Sequence, residues 1–154
     1  MAISKINFNS RELITTPAFC AKPTNDQSNI AEGSLVDIVF DTERFDQNTD
    51  FASNTFTAPV TGKYLLNTAI RFHEIDSAAA YIYIYIATSN SNYQNLHSTN
   101  QYNGDLSYHT LTCSVVADMD ASDTAKVKVY IENSGTVQVD VDNGGSHFSG
   151  CLLA

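Results

Sequence analysis

Charge is scarce in this chain. Lys, Arg, Asp and Glu make up 16% of the 154 residues, against roughly 25% in an ordinary soluble domain. Bases are scarcer than acids, eight against seventeen, for a net charge of -9 at pH 7. A protein that binds nucleic acid through its phosphates needs the opposite balance, so that function class is excluded. No stretch approaches the about 20 consecutive apolar residues that span a bilayer, and no membrane insertion is expected. The N-terminus, MAISKINFNSRELITTP, lacks the about 7–15-residue apolar segment of a signal peptide. The three cysteines, Cys20, Cys113 and Cys151, are odd in number and widely spaced. They match neither a disulfide framework nor a zinc pattern, which leaves buried free thiols. None of the 14 asparagines lies in an Asn-x-Ser/Thr acceptor, which argues against a eukaryotic secreted glycoprotein. Helix signals are equally thin: the candidates are Asn9 to Ile14 and Asp118 to Ala125, and the second reads better as a turn.

What the chain has is strand chemistry. Val, Ile, Thr, Phe and Tyr total 52 residues, against 29 for Leu, Glu, Lys, Gln, Arg and Met, a bias that favours strands over helices. Hydrophobic residues reach 43%, enough for a core in one domain. Period-two alternation runs through most of the sequence. Val36, Ile38 and Phe40 share a face. Tyr64, Leu66, Thr68, Ile70 and Phe72 share another, with Leu65, Asn67, Ala69 and Arg71 opposite. Ile82, Ile84 and Ile86 alternate with Tyr81, Tyr83 and Tyr85. Leu111, Cys113, Val115 and Ala117 align, as do Val127, Val129 and Ile131 against Lys126, Lys128, Tyr130 and Glu132. Val137, Val139 and Val141 alternate with Gln138, Asp140 and Asp142, and HFSGCLLA closes the chain. Turn clusters at Ser53-Asn54, Thr61-Gly62, Asn133-Ser134-Gly135 and Asn143-Gly144-Gly145 separate these runs. About ten short strands with no helices predict an all-β, two-sheet antiparallel sandwich. Residues 1–16 precede the first strand and read as an arm, with the domain at 17–154. Thr88 to Leu106 is polar and Asn-rich, a long surface loop or a loop interrupted by a short edge strand.

Residues 45–66, FDQNTDFASNTFTAPVTGKYLL, carry an Asp/Asn turn, then Thr-Phe-Thr-Ala-Pro, then x-x-Gly-x-Tyr opening a strand. This resembles the signature of the complement C1q globular head and its relatives among tumour-necrosis-factor-like jelly rolls. Pro17-Ala18-Phe19-Cys20-Ala21 resembles the family's first strand, and Phe148-Ser149-Gly150-Cys151-Leu152-Leu153 its last. Ala121-Ser122-Asp123-Thr124 resembles the turn before a late strand but lacks the usual Gly, and Cys151 stands where an aromatic is common. No collagen-like repeat precedes the domain. The opening Met-Ala-Ile-Ser-Lys-Ile resembles the start of short virion proteins of tailed phages, some of which carry C1q-like heads.

The resemblance implies a non-enzymatic homotrimer whose inner sheet packs around a threefold axis. The residues it places on that interface are Leu65, Asn67, Ala69, Arg71, Lys128, Tyr130, Ser149, Cys151 and Leu153. Exposed Leu65 and Leu153 fit such a role, because an exposed apolar patch usually marks an interface. Cys20 and Cys151 fall on the same face of strands that pair in this family, with free thiols favoured over a bridge. The functional expectation is a virion protein, either a fibre tip or a decoration protein, that displays a recognition surface. Residues 1–16 would hold it to other virion proteins. The alternative is a soluble, extracellular or cell-surface recognition module that binds a glycan or protein receptor.

No catalytic motif is present: no His-Glu-x-x-His, no Gly-x-Ser-x-Gly, no phosphate-binding glycine loop. His73, His97, His109 and His147 sit on separate segments, each more readily structural than catalytic. A pairing such as His147 with Asp142 is conceivable on the same terms. Asp118-Met119-Asp120-Ala121-Ser122-Asp123 fails as a helix-loop-helix calcium site, since the positions that need Gly and Glu hold Asp123 and Val129. No metal or cofactor is expected. Candidate ligand contacts are the ladder Tyr81, Tyr83 and Tyr85, which could stack on a sugar or meet a partner. The loop residues Tyr93, His97, Tyr102, Asn103 and Asp105 have the composition of recognition loops.

Overall fold

The computed structural model describes residues 16–133 and 138–153. Among these the strands are β1 (Ala18–Lys22), β2 (Leu35–Asp37), β3 (Thr42–Asp46), β4 (Phe51–Ala52), β5 (Thr55–Thr57), β6 (Gly62–Ile75), β7 (Tyr81–Thr88), β8 (Asn92–Ser98), β9 (Leu106–Met119), β10 (Thr124–Glu132) and β11 (Asp140–Leu152). They form two antiparallel sheets, the first in the order β3-β1-β11-β6-β9 and the second in the order β4-β5-β10-β7-β8, with β2 paired to β10. This is the two-sheet antiparallel sandwich that the alternation predicts, in the jelly-roll form that the motif resemblance implies. The arm and the Asn9–Ile14 helix candidate lie outside the described residues, apart from Thr16.

The core follows from the period of two. On β6, Tyr64, Leu66, Thr68, Ile70 and Phe72 are all fully buried, and the four hydrophobic ones join Ile82, Ile84 and Ile86 of β7 and Val127, Val129 and Ile131 of β10 in one cluster. Two hydroxyls buried in this core are paired, as a low-dielectric interior requires. The Tyr64 hydroxyl donates to the Val60 carbonyl at 2.7 Å, and the Thr68 hydroxyl to the His147 carbonyl at 2.7 Å. An aromatic knot sits at one end. Phe19 stacks on Phe51 and Phe56 with centroids 5.0 and 4.7 Å away and meets Phe148 edge-on at 4.9 Å.

The segment at residues 45–66 has a local physical basis. The Asp46 carboxylate accepts from the Asp50 and Phe51 amides at 3.1 and 2.9 Å, closing the turn into β4. Ser53 and Asn54, at φ 50 and 63, form the two-residue link of the β4–β5 hairpin, the left-handed pair that matches strand twist. The Asn54 side chain then accepts from the Phe40 amide at 2.7 Å, tying the hairpin to the chain before β3.

Two expectations need correction, and one left between two forms is decided. Asn143-Gly144-Gly145 is no turn between strands: it is a bulge inside the continuous β11, between Asp142 and His147, which pair with Arg71 and Ala69 of β6. The extra residues make room for Arg71, because a Cβ on Gly145 would lie 2.8 Å from the arginine Cδ. Secondly, Thr88–Leu106 contains β8, an edge strand paired along its length with β7, so the interrupted form of that loop is the one observed. Thirdly, the strand around Val36 is short. Ile38 and Phe40 are buried but lie beyond it.

Candidate functional site

The first sheet turns one face to the core and the other outward. Strand register aligns its outward residues in rows. Val116, Leu65, Cys151 and Ala18 stand side by side across β9, β6, β11 and β1. The next row holds Ser114, Asn67, Ser149, Cys20 and Phe45. Phe45, Val116 and Leu153 are each more than half exposed, and Leu65 is 36% exposed. Ala18, Phe45, Leu65 and Cys151 line a shallow groove together with Asn67 and Ser149. Isolated exposed apolar residues are ordinary, but several in register on one sheet make a patch of the kind that marks an interface. Burial pushes the Cys20 thiol above its ordinary range despite the opposing pull of Arg44. Cys20 pairs with Ser149 and Cys151 with Ala18, which offsets the two cysteines by two residues, and both are free.

Of the residues expected on this face, Leu65, Asn67, Arg71, Ser149, Cys151 and Leu153 are there. Ala69 points the same way but is 8% exposed, its methyl lying between the longer side chains of its partners Thr112 and His147. Lys128 and Tyr130 are not there. They belong to β10, which lies in the second sheet next to β7, because the jelly-roll crossover sends consecutive long strands to alternate sheets. Phe45 and Val116 were missed. The period that buries Cys113 and Ala117 turns Val116 outward, a signal masked by its neighbour Val115.

Arg71, two residues beyond Ala69, is anchored rather than open. Its Nε donates to the Asp142 carboxylate at 2.7 Å, its Nη2 pairs with the same oxygen, and its guanidinium lies 5.3 Å from the Tyr108 ring centroid. Asp142 therefore pairs with Arg71, whereas His147 lies opposite Ala69.

The outward face of the second sheet is aromatic. Tyr83 lies 5.2 and 5.6 Å from Tyr81 and Tyr85 and 6.4 Å from Tyr130, centroid to centroid. Register extends this row to Leu35 on one side and Leu96 on the other, both largely exposed. Lys128 and Lys126 bracket Asp37 at 2.9 and 3.3 Å beside it. Burial opposes ionisation of Asp37, but hydrogen bonds from the two lysines outweigh it and hold the carboxyl below its usual range. Tyr130 donates to Glu132 at 2.5 Å, and that bond pushes its phenol up to about 12. The tyrosines are thus partly buried rings side by side on the outward face of the sheet.

The loop candidates do not join this platform. On β8, Tyr93 and His97 turn toward the first sheet, Tyr93 packing on the core. His97 stacks on His109 of β9, centroids 4.2 Å apart, and Tyr102 bonds to His97 Nε2. Asp105 accepts from the Ser77 amide and hydroxyl at 2.9 and 2.8 Å, a loop anchor. Asn103 is exposed. These residues close the open side of the sandwich, and an Asn- and Tyr-rich composition alone could not distinguish that role from recognition. One cluster escaped the sequence: His73, Glu74 and Asp140 each place a ligand atom within 4.8 Å of the others.

No protein-family model matches the chain, and no curated protein matches it. Solved structures do. The globular domain of zebrafish complement 1qA aligns with a TM-score of 0.65 at 15% identity, covering 90% of this chain and 98% of that one. Murine APRIL aligns at 0.64 and 14% identity, covering 89% and 98%. The chain therefore has a C1q/TNF-like jelly-roll fold.

Proposed function

We propose that this protein is a non-catalytic recognition module that works as a homotrimer. The first sheet's outward face makes the self-contact and the tyrosine face or the loops meet a ligand. The observation that carries the reading is the apolar row Val116, Leu65, Cys151 and Ala18 with Phe45 beside it. A second copy is the natural cover for such a face in a fold of this type. The interface comprises Leu65, Asn67, Arg71, Ser149, Cys151 and Leu153 from the sequence expectation, with Phe45 and Val116 added. Ala69 lies within it as a small spacer, whereas Lys128 and Tyr130 belong to the ligand-facing side.

The finer reading is a phage virion component that displays this surface to a host glycan or protein, attached through residues 1–16. The opening Met-Ala-Ile-Ser-Lys-Ile supports it. A cellular module binding glycans or a protein receptor fits the fold equally well. Mass spectrometry of purified virions separates the two readings: the chain is present in particles on the first and absent on the second. Binding of the purified protein to a glycan array and to candidate host cells tests the recognition role itself. Saturable binding that Tyr83→Ala reduces supports it, and no binding to any surface counts against it.

A further inference from the structure

Alternation along a strand normally sends neighbouring side chains to opposite faces. His73 and Glu74 break that rule near the end of β6. Glu74 sits at φ 60, in the left-handed region that non-glycine residues seldom occupy, and its Oε1 lies 3.9 Å from His73 Nε2. Across the sheet, Asp140 at the start of β11 pairs in register with His73. Asp140 is only 8% exposed. One of its carboxylate oxygens accepts from the Asn29 amide at 2.7 Å, and the other lies 3.7 Å from His73 Nδ1.

That 3.7 Å gap is the informative number. It is too long for a hydrogen bond, which needs about 2.7–3.2 Å. His73 Nδ1 is buried and has no hydrogen-bond partner among the described residues, an uncommon and costly condition for a polar atom. Two ligands bound at about 2.0–2.2 Å to one shared ion stand roughly 3.3–3.7 Å apart. Among the described residues, His73 is the ion-pair partner of both carboxylates and no Lys or Arg offsets them. Two acids facing one imidazole, one of them buried, make a site short of positive charge.

We propose that His73 binds, through one ring nitrogen, a divalent transition-metal ion of the Zn2+ or Co2+ class together with Glu74 and Asp140. The carboxylates now stand beside Nε2 and Nδ1 respectively, and one ligand atom of each residue lies within 4.8 Å of the others. A small side-chain turn brings them onto one ion that clamps the end of β6 to the start of β11. One imidazole nitrogen with two carboxylates suits a borderline ion, whereas Ca2+ takes six to eight oxygens, about twice what these side chains offer. Asp140 is the fixed ligand, held by the Asn29 amide. Glu74, the exposed arm, also lines an open cavity of about 270 Å3 with Ile75, Asp76, Asp105, Leu106 and Ser107. Glu74 thereby puts one arm of the cluster at an open, water-accessible surface, from which water would complete the ion's shell. The site lies eight residues along β6 from Leu65, roughly 26 Å at the strand rise, and does not depend on self-association.

The test is a Co2+ titration of the full chain followed by visible absorption, with Ca2+ as competitor. The expected result is one ion per chain, a spectrum without a thiolate charge-transfer band, and no displacement by equimolar Ca2+. His73→Gln and Glu74→Gln should each weaken binding by about tenfold or more, while His97→Gln leaves it unchanged. Glu74 is exposed, so Glu74→Gln reports even if the His73 variant fails to fold; its melting temperature without metal should match the parent. Parent-like affinity in Glu74→Gln overturns the assignment. So does a thiolate band, loss of binding in His97→Gln, or no binding at millimolar Co2+.

Discussion

Gly150 shows how tightly single side chains are set in this sandwich. A Cβ there would lie 2.7 Å from Leu66 Cδ2, 2.8 Å from Phe19 Cε1 and 3.1 Å from the Leu65 carbonyl. Phe19 is locked in the aromatic knot and the carbonyl belongs to the β6 ladder, so neither can retreat freely. Gly150→Ala should destabilise the fold by about 1–3 kcal/mol, the usual cost of overpacking, as read by chemical denaturation. An unchanged midpoint would mean that β1 and β11 pack less closely than these distances require. Phe19→Ala acts in the opposite sense, opening a cavity among Phe51, Phe56 and Phe148, and should cost about 3–5 kcal/mol.

The β8 edge carries the chain's clearest pH dependence. Here the two sheets meet: the Asn95 amide of β8 donates to the Thr112 carbonyl of β9 at 2.8 Å, and His97 stacks on His109. Burial holds both imidazoles below their ordinary value of 6.5, and His97 lowers His109 further. The His147 ring is also lowered, by burial and then by Arg44. A group that protonates more readily unfolded than folded destabilises the native state as pH falls. Stability should therefore decline as pH drops below about 6.5, and this contribution levels off beneath the folded-state values. Thermal melts at pH 7 and pH 5 should show the decline, and His97→Gln should reduce it. Melting temperatures equal at both pH values would contradict the account. This edge also marks where the sequence was legible and where it was not. The period of two correctly assigned the core faces of β6, β7, β9 and β10, since burial there depends only on alternation. It misread Asn143-Gly144-Gly145 as a turn, because a glycine bulge and a glycine turn share one composition, and only the partner strand, which brings Arg71 into the gap, separates them. It could not bring His97 to His109 or His73 to Asp140, because those contacts are made between strands.

At the scale of the whole molecule, the sandwich carries two different outward faces. One is an apolar row on the first sheet; the other is a tyrosine platform on the second, with paired charges beside it. Scarce charge in the sequence has its counterpart here, since neither face is the uniformly charged surface of a domain surrounded only by water. Assigning Lys128 and Tyr130 to one face required knowing which sheet β10 joins, and alternation within a strand is silent on that. The assignment of roles predicts an ordering: Leu65→Asp and Leu153→Asp should break assembly, while Tyr83→Ala should leave it intact and cost about 0.2–1 kcal/mol per lost cross-strand pair. The most direct measurement is the solution mass by size-exclusion chromatography with light scattering. The account predicts a species of about 50 kDa, three copies of the 16.8 kDa chain, which Leu65→Asp shifts toward monomer. A parent protein that runs as a stable monomer, or a trimer that Tyr83→Ala alone dissolves, would contradict it.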